Sequence, residues 1–462
     1  MIRTLSTSLL RLACLVLLVV ACTKPDDPMP TNAGNSIESF VFTGFNPTIA
    51  GVVDSVAHTI HATVPVGTDL TKLVPTIAVS LNAVVTPASG VAQNFSNPIS
   101  YTVTGADNKS QAYIVSVSVA SPVTNAGTFV YIGNGIGNFF ALDGGTGAVK
   151  WRVSTGSAIS ASAFVSAGMV FTGTENGNLF AFDARTGTQR WKYSAGKGIL
   201  SSPVVSGTLV FAGSEDQVLY ALDAMTGSLR WKFGTAGGIT SSPVVVDGSV
   251  YFGSQDRTLY ALEAATGKQR WKFSAGDKIT SSPAVVGGLI YVGTDDYNLY
   301  ALDASMGTIR WKFSTGGRVT SSPTVADGVV YVGSDDYNLY ALDAITGAGK
   351  WKFSTGGRVT SSPTVANGLV YIGSEDNTLY ALNTNTGTQR WKYGTGAGIS
   401  SSPLVYNGLV YFGGQDSGFY CLNATSGVFW WRVPLDAKIG ASPCLANTNV
   451  VGFTAGISGG QQ

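Results

Sequence analysis

Trp151, Trp191, Trp231, Trp271, Trp311, Trp351, Trp391 and Trp431 stand forty residues apart without a slip. Gly133 recurs at the same interval through Gly173 and Gly213 to Gly413, and Gly147 through Gly187 to Gly427. Residues 311–326 and 351–366 are identical. So constant a period marks one supersecondary unit repeated, because each copy buries its apolar face only against its neighbours. Within 321–353 four strand-length runs follow one another: Ser-Ser-Pro-Thr-Val, Gly-Val-Val-Tyr-Val-Gly, Asn-Leu-Tyr-Ala-Leu-Asp and Lys-Trp-Lys-Phe. Gly, Asp or Asn closes each run. Four short strands every forty residues describe the blade of a β-propeller. The expectation is all-β: an eight-bladed propeller of four-stranded blades over 126–462, preceded by a small β-sandwich.

Proline has no ladder donor, so Pro323 and its equivalents are placed in an edge strand, the innermost one beside the channel. In the last strand Trp351 points one way while Lys350 and Lys352 point the other. The first-strand motif occurs eight times, from 161 to 441, and the second nine times, from Phe129–Gly133 to Val450–Ala455. A C-terminal strand near Ala441–Ala446 is therefore expected to complete the blade begun by 129–153 and remove its open edge. One second-strand motif is surplus.

Residues 1–22 read as a signal peptide: Arg3 and Arg11 precede the apolar run Leu12 to Val20, too short to span a membrane. Val19-Val20-Ala21-Cys22 resembles a bacterial lipobox, which implies lipid attachment at Cys22 and an outer-membrane location on the periplasmic or cell-surface side. Residues 23–35 are a flexible tether. A β domain is expected over 36–120, with strands at Ser39–Thr43, Thr59–Val64, Thr76–Leu81, Ser100–Thr104 and Tyr113–Val119. The last two form a hairpin. This segment resembles the immunoglobulin-like modules of surface lipoproteins. His58 and His61, the only histidines, are placed in one strand with opposite side-chain directions, which argues against a shared metal. Cys421 and Cys444 are read as buried thiols, with a disulfide between them as the alternative.

Lys plus Arg number 28 and Asp plus Glu 27. A nucleic-acid partner would call for a basic excess, so none is expected. Ala-Leu-Asp-Ala-x-Thr-Gly-x-x-x-Trp, as in Ala221 to Trp231, resembles the repeat of pyrroloquinoline-quinone-type (PQQ-like) propellers. That resemblance implies that the eight tryptophans dock successive blades. The family's enzymes hold a quinone near the axis with Ca²⁺, a catalytic aspartate and a disulfide between adjacent cysteines. This chain has no adjacent cysteines, and its spacing leaves no room for inserted loops. No catalytic residue, metal or cofactor is therefore expected. Lipobox, eight blades and repeat motif together resemble the propeller lipoprotein of the outer-membrane β-barrel assembly machinery. This implies a non-enzymatic scaffold for a protein or glycan partner. A quinone-dependent dehydrogenase-like enzyme, a peptide- or glycan-binding surface protein and a structural spacer stay open.

Asp216, Asp256, Asp296, Asp336, Asp376 and Asp416 share one repeat position in the loop between second and third strands, where Ile136 and Asn176 fill the other two. Asp also caps such turns, the plainer reading. Lys278, Arg318, Arg358 and Lys438 share a position in the loop leading to the next blade, with Ala158, Gly198, Gly238 and Gly398 elsewhere. Both loops should emerge on one face, making it a candidate partner-binding face by charge complementarity. Ser162, Ser202, Ser242, Ser282, Ser322, Ser362, Ser402 and Ser442 are expected on the innermost strand, lining the channel with hydroxyls.

Overall fold

The structure is a computed structural model that describes residues 34–45, 48–64, 68–119 and 127–447. The signal segment with Cys22, most of the tether and the surplus motif at Val450–Ala455 lie outside the described residues.

Two sheets form the N-terminal domain. One contains Ile37–Phe42 between Ile49–Ala50 and Thr76–Val79; the other runs Val52–Asp54, Thr59–Val64, Ser110–Val119, Ile99–Thr104, Val84–Thr86. Thr59–Val64 alternates buried and exposed residues because one face meets the core while the other meets solvent. Phe40, Phe42, Phe95, Tyr101 and Tyr113 fill that core. The ring pairs Phe40–Phe42 and Phe40–Tyr101 meet edge to face at 5.5 and 5.6 Å, the arrangement the ring quadrupoles favour. His58 does not lie in the strand with His61. It occupies the preceding turn at φ 52°, where Asp54 Oδ1 accepts the amides of Val56 and Ala57. Its ring packs on Tyr113.

Residues 127–447 build eight four-stranded antiparallel sheets. Blade 1 comprises Thr128–Gly133, Asn138–Asp143 and Val149–Ser154, with Cys444–Asn447 as its innermost strand. Blades 2 to 8 follow in unbroken order, from Phe164–Ser166 through Phe429–Pro434. Thr128 and Asn447, 319 residues apart, thus pair in one sheet, and the ring carries no open edge at its seam.

The middle strands are buried on both faces, as in Leu369–Gly373 and Leu409–Gly413, because every blade packs between two others. They are accordingly apolar throughout rather than alternating. Each outer-strand tryptophan crosses to the next blade. Trp151 Nε1 donates to Ala184 O at 3.1 Å, Trp191 to Ala224 O at 2.9 Å, and the series continues to Trp391 on Ala424 O at 3.0 Å. The indole lies over the next blade's turn glycine. At Gly187, with φ 74°, a Cβ would stand 2.8 Å from the Trp151 ring, so both backbone conformation and space demand glycine there.

The inner seam departs from expectation. Pro323 and Ser322 sit just ahead of Thr324–Ala326 rather than within it. The serines stitch blades together instead of simply lining a channel. The Ser162 amide donates to Ser202 Oγ at 3.1 Å, Ser202 to Ser242 at 2.9 Å, and so on around the ring. Cys421 and Cys444 are free, each buried in its own blade. Burial pushes both thiols up, Cys421 well above the usual range.

Candidate functional site: the loop face

The hairpins between second and third strands and the loops leading to the next blade emerge together, because an antiparallel meander returns every second connection to one side. Asp216 shows how they meet. Its Oδ2 accepts the amide of Gly196, in the preceding blade's outgoing loop, at 2.7 Å and the Tyr220 hydroxyl at 2.8 Å. Its Oδ1 accepts the Val218 amide within its own hairpin. Asp256 likewise holds Ala236 N and Tyr260. Asp296, Asp336, Asp376 and Asp416 hold Gly276, Gly316, Gly356 and Gly396 in the same way. Burial pushes Asp296, Asp336 and Asp416 up, but the hydrogen bonds they accept outweigh it and hold them below the usual carboxylate range. Burial and these carboxylates push Tyr260, Tyr300, Tyr380 and Tyr420 up to about 12. The six aspartates are inter-blade clamps as well as turn caps, and few of their lone pairs face outward.

The four cations divide into two kinds. Arg318 Nε meets Asp335 at 2.9 Å and Arg358 meets Glu375 at 2.7 Å. Lys278 and Lys438 are exposed and make no salt bridge among the described residues. Asp335 and Glu375 belong to a second polar position, shared with Glu175, Glu215, Gln255, Asp295 and Gln415, one residue before the aspartate clamps. The same forty-residue spacing could have revealed it, but its mixed identities hid it.

Tyr297 and Tyr337 also escaped the sequence reading. They occupy equivalent hairpin positions in adjacent blades, 51 % and 50 % exposed, with φ 68° and 70°. Other blades place Gly137, Gly177, Gln217, Arg257, Asn377 or Ser417 there, all at left-handed φ. A bulky side chain at left-handed φ is strained, and here little burial offsets the strain. Tyr337 lies beside Arg358.

At the mouth between blades 8, 1 and 2, Ser160, Glu175, Ser400, Gln415 and Lys438 line a polar cleft of about 270 Å³. Gly135, Ala158 and Gly440 open it, each smaller than most of its repeat equivalents. Ser160 Oγ donates to Glu175 at 2.5 Å. The quinone set does not fit these residues: the clamp aspartates are committed to backbone amides, and the two cysteines are separated within the apolar cores of different blades.

Three family models match parts of the chain. Residues 102–202 and 175–278 match outer membrane protein assembly factor BamB. Residues 247–455 match the β-propeller of the beta-alanine-activating enzyme, and 37–117 match SGBP, N-terminal. No curated protein matches the chain. Among solved structures, BamB from Moraxella catarrhalis is 22 % identical over 64 % of this chain and 88 % of its own, with a TM-score of 0.54. The computationally designed Ika8 protein is 16 % identical over 62 % and 90 %, with a TM-score of 0.56. Quinohemoprotein alcohol dehydrogenase from Comamonas testosteroni is 16 % identical over 62 % and 68 %, with a TM-score of 0.54. At these identities the structures share a fold with this chain. Eight blades, docking tryptophans and family matches make this chain a PQQ-like β-propeller that resembles BamB, preceded by a module similar to the SGBP N-terminal domain.

Proposed function

We propose that the chain is a non-enzymatic scaffold, lipid-anchored through Cys22 at the outer membrane, that binds a protein partner with its loop face. Its likeness to BamB, an outer membrane protein assembly factor, supports a role in outer-membrane assembly. The observation that carries the reading is the pair Tyr297 and Tyr337. Half-exposed tyrosines on strained backbone do little for stability, whereas tyrosine is a preferred anchor at protein interfaces. Lys278, whose carbonyl accepts the Asp295 amide in Tyr297's own hairpin and whose ammonium makes no salt bridge among the described residues, adds a charge that a partner can read. Arg318 and Arg358 are already neutralised by Asp335 and Glu375, so they contribute shape and hydrogen bonds more than net charge.

The test is a pull-down from native membrane with the chain from residue 36 onward, beside a variant carrying Tyr297→Ala, Tyr337→Ala and Lys278→Ala. A partner captured by the parent and lost in the variant supports the reading. A partner captured equally by both moves the site off this face. No partner with either, under conditions that retain other lipoprotein complexes, sinks the scaffold reading.

A further inference from the structure

Blade 8 breaks the repeat on the opposite face, at the turn between its third and fourth strands. Seven blades carry Ala148, Thr188, Ser228, Lys268, Thr308, Ala348 or Thr388 at one position of this turn, and every one is exposed. Blade 8 carries Val428, only 9 % exposed. Two residues on, the seven carry Lys150, Arg190, Arg230, Arg270, Arg310, Lys350 and Arg390, again all exposed. Blade 8 carries Trp430, partly buried. An exposed small or polar residue and a cation have become two large apolar side chains, one buried and one partly buried.

What covers Val428 is the N-terminal domain: the valine belongs to the same apolar cluster as Phe40, Phe42 and Phe95. Trp430 Nε1 reaches across to blade 1, donating to Gly145 O at 3.1 Å. Chain connectivity independently demands this side. Thr128, where the chain enters the propeller, accepts the Gly144 amide, so entry is at the face opposite the hairpins holding Tyr297 and Tyr337. The seven residues between Val119 and Gly127 span at most about 28 Å, which confines the N-terminal domain to the neighbourhood of blades 8 and 1.

We infer that Val428, with Trp430 bracing the seam beside it against blade 1, is a dedicated seat for residues 36–119, fixing that domain beneath the propeller at the blade 8–blade 1 seam. The seat ties the two units into one body at the point where the ring closes. It also leaves the loop face unobstructed and turned away from the N-terminal domain.

The experiment restores the repeat: Val428→Thr with Trp430→Arg, residues that blades 2, 5 and 7 already carry at these positions. The propeller should therefore fold, checked by circular dichroism. Hydrogen–deuterium exchange is expected to quicken about tenfold or more at the amides covered by the seat, the loss of one buried valine side chain. Small-angle scattering should show a larger radius of gyration. Leu229→Thr, at an exposed blade 3 site, is the control and should change neither. A folded double variant with unchanged exchange throughout 36–119 and an unchanged radius overturns the inference. If the double variant disrupts blade 8, Val428→Thr alone is read by the same two measurements.

Discussion

The amide of Ser442 donates to Ser162 Oγ at 3.1 Å, joining residues 280 apart and closing a chain of eight such bonds around the axis. Ser162 therefore receives from the end of the propeller while its own amide donates onward to Ser202. The stitch is identical at every blade boundary, yet only at this one does it join the two ends of the repeat. It works beside the strand pairing of Cys444–Asn447 with Thr128–Tyr131, so the seam is held at two neighbouring levels.

Ser162→Ala should cost about 1 kcal/mol, the loss of one partly buried hydrogen bond. Truncation after Pro443 removes the closing strand, Cys444 and Leu445 with it, and uncovers their partners Tyr131 and Val130 in blade 1. It should cost about 4 kcal/mol or more from lost apolar burial and leave the edge of Thr128–Gly133 open to pairing with other chains. Denaturant unfolding reads both, and light scattering reads the second. Equal stabilities for the truncated and parent chains would show that the seam carries no load.

The last tryptophan differs from its seven counterparts. Trp431 Nε1 is buried with no hydrogen-bond partner among the described residues, and the carbonyl it would reach by repeat geometry, Gly144 O, is taken by the Tyr411 hydroxyl at 2.8 Å. Tyr331 and Trp351, by contrast, share Thr384 O. Trp351→Phe loses a bond and ring area, whereas Trp431→Phe loses ring area and removes an unsatisfied donor. The second should be milder by about 1 kcal/mol in parallel urea titrations. A Trp431→Phe cost equal to or above that of Trp351→Phe would rule out this asymmetry.

These cases show what a repeat makes legible. A forty-residue period carries the number of blades, the position of each tryptophan and the need for a closing strand, because all three follow from stacking identical units. It does not carry what one unit does to the next. Asp216 reads as a turn cap because Val218 lies two residues away, while its bond to Gly196 runs backward across a blade boundary. Ser162 and Pro323 read as strand residues since they border a strand, but the three-residue inner strands begin only after them. Tyr297 and Tyr337 were hidden because every blade takes a left-handed φ at this position; only their half-exposed aromatic rings set them apart. His58 likewise follows the strand pattern in sequence and leaves it in the backbone.

Thiol accessibility tests the two cysteines. Cys421 lies opposite Tyr411 and Cys444 opposite Tyr131, in different blades, and burial holds both thiols protonated at neutral pH. Neither should react with iodoacetamide in the native chain at pH 8 over an hour, and both should react in urea without added reductant. A requirement for reductant before alkylation in urea would reveal a disulfide and overturn the free-thiol assignment.

Acid sensitivity should come from the turns opposite the loop face. The Arg230 guanidinium at 2.7 Å, with the Thr226 amide, holds Asp223 down at about 2. Arg190 does the same for Asp183, also about 2, with burial opposing. Their unperturbed value is 3.8, so the unfolded chain binds these protons first. The stabilisation is fully present above about pH 4 and disappears as pH falls toward 2. Melting temperature should therefore stay nearly level between pH 7 and 5 and drop below pH 4. Blades 7 and 8 place Asn383 and Asn423 at this position, and their Oδ1 atoms keep the turn bonds to Thr386 and Ser426. Asp223→Asn should accordingly fold at neutral pH and shallow the acid slope, and adding Asp183→Asn should shallow it further. Sodium chloride at 1 M should shrink the parent's stability at pH 7 only slightly, because these pairs are exposed on the arginine side and already screened. An acid slope unaltered in the double variant would assign the loss to other carboxylates, the clamps Asp296, Asp336 and Asp416 first among them.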